Sequence, residues 1–189
     1  MKKLEIIGFK RANLSKSELA HLRMDGNVPC VLYGGNEQVH FHTPAYLFKD
    51  LVYTETPHFV DLEVAGKKYL CKLQEVQFHP VSEMILHADF LLLNEAKEIV
   101  MDIPVEFVGT APGVVKGGKL VQKLRRFKVK ALPNNMPESI SVNVSGLDLG
   151  KSAKVGDVTP VNYVILNSKA NPVVTVDVPR ALKGQTSAE

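Results

Sequence analysis

The chain has 189 residues, 45% of them apolar and 23% charged, with a formal net charge of +3. At about 100–200 residues per domain this length holds one domain or two small ones with a sizeable core, and the composition argues against disorder. Its two cysteines, Cys30 and Cys71, exclude a disulfide scaffold and a four-cysteine zinc site. No apolar stretch approaches the ~18 residues that span a membrane. The opening Met1-Lys2-Lys3-Leu4-Glu5-Ile6-Ile7 looks briefly like a secretory leader, but Glu5, Gly8 and Lys10 interrupt the apolar run, so a cytoplasmic protein is expected.

The first predicted element is a short helix. Ser15-Lys16-Ser17-Glu18 fits a capping box, Leu19 and Leu22 share a face, and Gly26 is a stop signal. Val28–Tyr33 reads as a compact strand ending at the turn Gly34-Gly35-Asn36, and Val39–His42 as its return. Thr43-Pro44 predicts a cap and helix start, with Leu47, Phe48, Leu51 and Val52 inward. Val60–Val64 alternates and turns through Ala65-Gly66-Lys67 into Tyr69–Phe78, a long hairpin broken by His79-Pro80. In the strand Ile85–Leu93, period-two alternation puts His87, Asp89 and Leu91 on one face and Leu86, Ala88 and Phe90 on the other. Two short helices among about six strands suggest a small barrel or half-barrel.

Asn94-Glu95-Ala96-Lys97 is a polar break that bounds an N-terminal domain, 1–93, from a second domain, 94–178. Val100–Val108 is a strand whose Pro104 calls for an edge or a bulge. The stretches 127–132, 140–144 and 173–178 are β-branched or alternating, so the second domain reads as mostly β, and 179–189 as a loose tail. The fold class is therefore mainly β.

Charge is unevenly distributed. Residues 1–23 carry six basic and two acidic side chains, and residues 116–130 carry seven basic (Lys116, Lys119, Lys123, Arg125, Arg126, Lys128, Lys130) and none acidic. Such zones suit a polyanion, or form a solvated surface, an exposed β hairpin in the case of 116–130.

There is no Gly-x-Ser-x-Gly elbow, no phosphate-binding loop and no dinucleotide fingerprint, so neither an enzyme of a familiar class nor a cofactor is expected. His40-x-His42 and His87-x-Asp89 each offer two metal ligands from one strand face, and would make a four-ligand hydrolytic site if their strands were adjacent. The competing reading is RNA contact. Asp89 is a poor partner for phosphate but a good acceptor for a base amino group or a 2′-hydroxyl, and His87 can donate beside it.

Lys10-Arg11, Leu22-Arg23, Gly26 and Val28-Pro29-Cys30-Val31-Leu32-Tyr33-Gly34-Gly35 resemble a known opening, continued by Glu75-Val76-Gln77-Phe78-His79-Pro80 and His87-Ala88-Asp89-Phe90. Ile103-Pro104-Val105, Gly113-Val114, Gly117-Gly118 and Leu132-Pro133 extend the match into the second domain. Over about residues 2–178 the chain resembles the bacterial large-subunit ribosomal proteins of the twenty-five family, in their two-domain Ctc (general stress protein) form. The resemblance implies an N-terminal six-stranded β-barrel that binds 5S ribosomal RNA at loop E, and a C-terminal β domain. It implies RNA contacts by Lys10, Arg11, Lys16, Arg23, Tyr33, Gln74, Gln77, His87 and Asp89. The basic side chains would hold phosphates, the glutamines, His87 and Asp89 would read base edges and 2′-hydroxyls, and Tyr33 would pack on a sugar or donate its hydroxyl. Ala20 and His21 stand where the family often has Arg or Lys, and Glu18 adds an opposing charge. Lys123, Arg125 and Arg126 are candidates for a second contact with ribosomal RNA or a ribosomal protein. The alternative within this class is a stress factor that binds RNA or protein off the ribosome.

Overall fold

The computed structural model describes residues 1–13, 15–35 and 37–179. The chain divides between Lys97 and Glu98 into two units. In the first, strands β1 (Lys3–Lys10), β2 (Asn27–Tyr33), β3 (Val39–Pro44), β4 (Phe59–Val64), β5 (Lys67–Phe78) and β6 (Ile85–Leu92) close a barrel in the order β1-β3-β2-β6-β5-β4. The parallel pairing of β1 with β4, Leu4 opposite Val60 through Gly8 opposite Val64, makes the closure. Closure leaves no free edge.

Alternation supplies the core. Ile6, Val28, Leu32, Phe41, Leu62, Val64, Cys71, Ala88 and Phe90 point inward, and Phe48 from the 3-10 turn after β3 joins them in the core. Phe90 meets Phe41 and Phe48 with ring centroids 5.7 and 6.2 Å apart, in tilted contacts. A Cβ on Gly8 would lie 2.6 Å from Phe41 and 2.9 Å from Val64, so glycine gives the Phe41 ring its room. Strand β1 was not expected from the sequence. Its inward positions Ile6 and Gly8 are flanked by outward Ile7 and Phe9, 58% and 53% exposed, which blurs the apolar alternation.

Helix α1 (Lys16–Met24) starts where Ser15 Oγ accepts the Glu18 amide at 3.4 Å. The capping box is half made, because Glu18 Oε2 is buried without a hydrogen-bond partner. Gly26, at φ 75°, takes the left-handed conformation that ends the helix. The second expected helix is shorter: a 3-10 turn, Ala45–Phe48, followed by one turn, α2 (Lys49–Val52). Thr43 does not cap it. Its hydroxyl instead donates to the Ile7 carbonyl at 2.8 Å and ties β3 to β1. The β4–β5 hairpin turns on Ala65 and Gly66, both at positive φ, as a two-residue turn demands.

The second unit contains β7 (Ile99–Val108), α3 (Pro112–Val115), β8 (Lys119–Gln122), β9 (Arg126–Ala131), β10 (Ile140–Asn143), β11 (Ser152–Lys154), β12 (Val164–Ile165) and β13 (Pro172–Asp177). Two sheets form, β10-β7-β9-β12 and β11-β13-β8, around Ile103, Phe127, Val129, Val142, Val173 and Val176. Pro104 sits where pairing changes sides. The Val105 amide donates toward β9, to Arg125, so the Pro104 nitrogen faces the other edge, where β10 pairs only from Val105 onward. The basic run does not form the hairpin envisaged from sequence: β8 pairs with β13 and β9 with β7 and β12, in different sheets. Asn36 of the predicted turn and the expected tail from residue 180 onward lie outside the described residues. Among the described residues no helix is long and apolar enough to cross a membrane.

Candidate nucleic-acid interface

The outward face of β6 is the centre of the candidate site. Ala88 and Phe90 are fully buried, so His87 and Asp89, which alternate with them, project from the barrel. His87 Nδ1 lies 2.7 Å from Asp89 Oδ1, with the two side chains 29% and 27% exposed. For that hydrogen bond Nδ1 carries the proton and donates, which leaves Nε2 an acceptor in the neutral ring and a second donor in the charged one.

Sheet register assembles the rest of the row. Gln77 stands opposite His87 and Glu75 opposite Asp89 on β5, while on β2 Val31 stands opposite Asp89 and Tyr33 opposite Leu91. Gln74 and Gln77 are three residues apart, so strict alternation would put them on opposite faces of β5. The ladder shifts between Leu73 and Glu75, and Gln74 is the extra residue. This β-bulge lets Gln74 stay exposed while Glu75 and Gln77 both face outward beside Asp89 and His87. The Tyr33 phenol is held above its ordinary pKa first by partial burial, then by the charges of Asp89 and Glu75. The structure thus brings Tyr33, Gln77, His87 and Asp89 together, with Gln74 at the bulge. Glu75 is the member that sequence reasoning missed: period two from Gln77 puts it on the same face, and the register sets it opposite Asp89.

The basic candidates lie on different elements, and Arg23 is the one whose hydrogen bonds reach the strand that carries this row. Lys10 and Arg11 lie at the end of β1, two strands removed from β6 across β3 and β2. The Arg11 amide donates to the His40 carbonyl at 3.0 Å, its Nη2 donates to Asn13 at 3.3 Å, and its Nε is buried without a partner. Lys16 is exposed at the first position of α1. Arg23, near the end of that helix, donates from Nε and Nη2 to the Leu86 carbonyl at 3.1 and 3.0 Å, one residue before His87. A single guanidinium therefore links α1 to the strand that carries the His–Asp pair.

His40 and His42 do not join His87 and Asp89. Strand β2 separates them, with Val31 between His40 and Asp89 in the register. Phe9 stacks on His42 at 5.5 Å, and burial followed by the Arg11 charge lowers the His42 pKa, with Glu18 opposing. No group of three or more His, Cys, Asp or Glu side chains is arranged to hold a metal ion among the described residues. The four-ligand hydrolytic arrangement is thereby overturned.

In the second unit the run of seven basic residues is partly neutralised. Lys116 binds both Asp148 oxygens at 3.0 Å, Lys130 meets Glu98 at 2.6 Å, and Lys128 stands opposite Asp102. The Asp148 carboxyl is held below its ordinary pKa by the Leu149 amide and then by Lys116. Lys123, Arg125 and Arg126 are exposed, in and beside the loop from β8 to β9.

Comparison with known proteins gives a consistent picture. The profile of the ribosomal L25p family matches residues 6–90, and that of the ribosomal protein TL5 C-terminal domain matches residues 98–180. The chain is 55% identical to the large ribosomal subunit protein bL25 of Cytophaga hutchinsonii, over 100% of this chain and 98% of that one. It is 52% identical to the bL25 of Amoebophilus asiaticus, covering 100% and 97%, and 44% identical to that of Bacteroides fragilis, covering 100% and 98%.

Proposed function

The chain belongs to the ribosomal L25p family, in the form that carries a TL5-type C-terminal domain, and on that premise we propose that it is a non-enzymatic constituent of the large ribosomal subunit, in the cytoplasm, whose barrel binds 5S ribosomal RNA at loop E. One observation carries the reading. The β5–β6 ladder sets Gln77 opposite His87 and Glu75 opposite Asp89, with Gln74 added by the bulge, in a row of amide, imidazole and carboxylate groups that suits base edges and 2′-hydroxyls. The phosphates fall to Lys10, Arg11, Lys16 and Arg23, and Tyr33 packs on a sugar or donates its hydroxyl. Recognition is of the shape and edges of an irregular RNA helix, and no bond is made or broken. The second domain adds a contact through Lys123, Arg125 and Arg126. The substitution of Ala20 and His21 for basic residues lowers both affinity and salt dependence. The test is co-sedimentation of the native protein with large subunits at moderate salt. Stoichiometric occupancy is expected. Protein that remains in the supernatant at every salt concentration would favour a role off the ribosome.

A further inference from the structure

Glu75 lies on the outward face of β5 directly opposite Asp89. Like charges in opposed positions of an antiparallel pair are destabilising. Glu75 shares that face with Gln77 by period two, but relative to the first half of β5 it stands there because of the bulge. Lys72 opposes Leu91 and Leu73 opposes Phe90, so an unbroken ladder would put Gln74 opposite Asp89 and turn Glu75 toward the core beside Ala88. Bulges that re-aim a side chain concentrate beside functional sites. Both carboxylates also act on a third group, since each raises the pKa of the Tyr33 phenol.

A carboxylate on a surface that meets RNA repels phosphates. It contributes to binding only by accepting a hydrogen bond, from the amino or imino groups of bases or from a 2′-hydroxyl. We infer that Glu75 is a specificity-determining residue of the RNA-binding face, accepting base N–H groups alongside Asp89 and rejecting RNA that presents a phosphate or no donor at that point. This rests on the RNA-binding reading above. In a regular duplex the pair of carboxylates meets backbone charge and opposes binding, whereas in an irregular internal loop it meets exposed donors. The two opposed carboxylates thus serve discrimination between RNAs.

The experiment compares the wild-type protein with Glu75→Gln, which keeps the shape and removes the charge. Each binds 5S ribosomal RNA and a fully paired RNA duplex of the same length, at low and physiological salt, and each melting midpoint is recorded. On charge alone the substitution would tighten binding to both RNAs. We expect 5S affinity to fall by about tenfold or more, on the scale of one lost base-reading carboxylate. Duplex affinity should hold or rise, and the melting midpoint should not fall. A variant that binds 5S RNA as tightly as wild type, or more tightly, overturns the inference and leaves the RNA-binding reading standing. Equal losses on both RNAs, or a lowered midpoint, overturn it too, because the loss is then one of fold or of general affinity. Failure of the wild-type protein to bind 5S RNA overturns both.

Discussion

Arg23 joins helix, barrel and RNA-binding row, and its replacement by lysine separates charge from geometry. Nε and Nη2 both donate to the Leu86 carbonyl, at 3.1 and 3.0 Å, a fork that the single ammonium of lysine does not reproduce. Hydrogen bonds from a charged donor contribute about 1.5–3 kcal/mol when sheltered. Arg23 is exposed, so solvent screening brings the pair down to about 1 kcal/mol in total. For a unit of this size that is a drop of about 4–8 °C in the melting midpoint. Arg23→Lys is therefore expected to melt lower and to bind 5S RNA more weakly, since the end of α1 is no longer pinned beside His87. The slope of log affinity against log salt should stay unchanged, because the positive charge remains. Arg23→Ala should show the same loss of stability and, in addition, a slope shallower by about 0.7–0.9, one phosphate contact. Thermal melts and a salt series of binding isotherms on the three proteins read both effects. If Arg23→Lys melts and binds as wild type does, the fork on Leu86 does not position the helix and the reasoning fails.

Three further outcomes follow from the packing and the charges. Gly8→Ala puts a methyl group 2.6 Å from Phe41 and 2.9 Å from Val64, and overpacking should cost about 1–3 kcal/mol, seen as a lower urea midpoint at constant slope. A wild-type midpoint would mean that the Phe41 ring has room to move. Burial pushes the Cys71 thiol from 9.0 up to about 12, and raises Cys30 as well. The unfolded chain loses these protons first, so their contribution to stability is full below pH 9 and is lost as pH rises from 9 toward 12. Cys30→Ala with Cys71→Ala should flatten that alkaline decline in urea titrations at successive pH values, and an equally steep decline would assign it to other groups. Reversing Lys123, Arg125 and Arg126 to Glu should lower occupancy on large subunits in co-sedimentation while sparing binding of the protein to free 5S RNA. Unchanged occupancy would remove the second domain's basic loop from the contact surface.

Much of the barrel is legible where one face is buried. Along β6 the alternation of His87 and Asp89 with Ala88 and Phe90 is the alternation of outside and inside, and Ala65-Gly66 marks the hairpin turn through its positive φ angles. Strand β1 escapes because Ile7 and Phe9 stay exposed on the outer face while Gly8 occupies the inner one, the reverse of the expected pattern. Thr43-Pro44 carries a valid helix-start signal, yet the Thr43 hydroxyl caps no amide and donates to the Ile7 carbonyl, far away in sequence. The candidate site divides in the same way. The His87–Asp89 pair follows from period two alone. Glu75 and Gln77 share a face by the same period, but the place of Gln74 beside them depends on one extra residue in the ladder, and no local rule announces a bulge at that position. The fork from Arg23 to Leu86 spans 63 residues and needs the closed barrel before it exists. Local periodicity thus gives the faces, and long-range register decides which residues share them.

The most direct test is the binding of purified protein to 5S ribosomal RNA beside a His87→Ala/Asp89→Ala double variant, at low and at physiological salt. These two side chains meet at 2.7 Å on the outer wall, so their removal leaves the buried core intact. Saturable binding by the wild type that the variant loses, with unchanged melting, is the expected result. Equal binding by the two proteins would assign the contact to the basic side chains alone and contradict an RNA-reading row on β5 and β6.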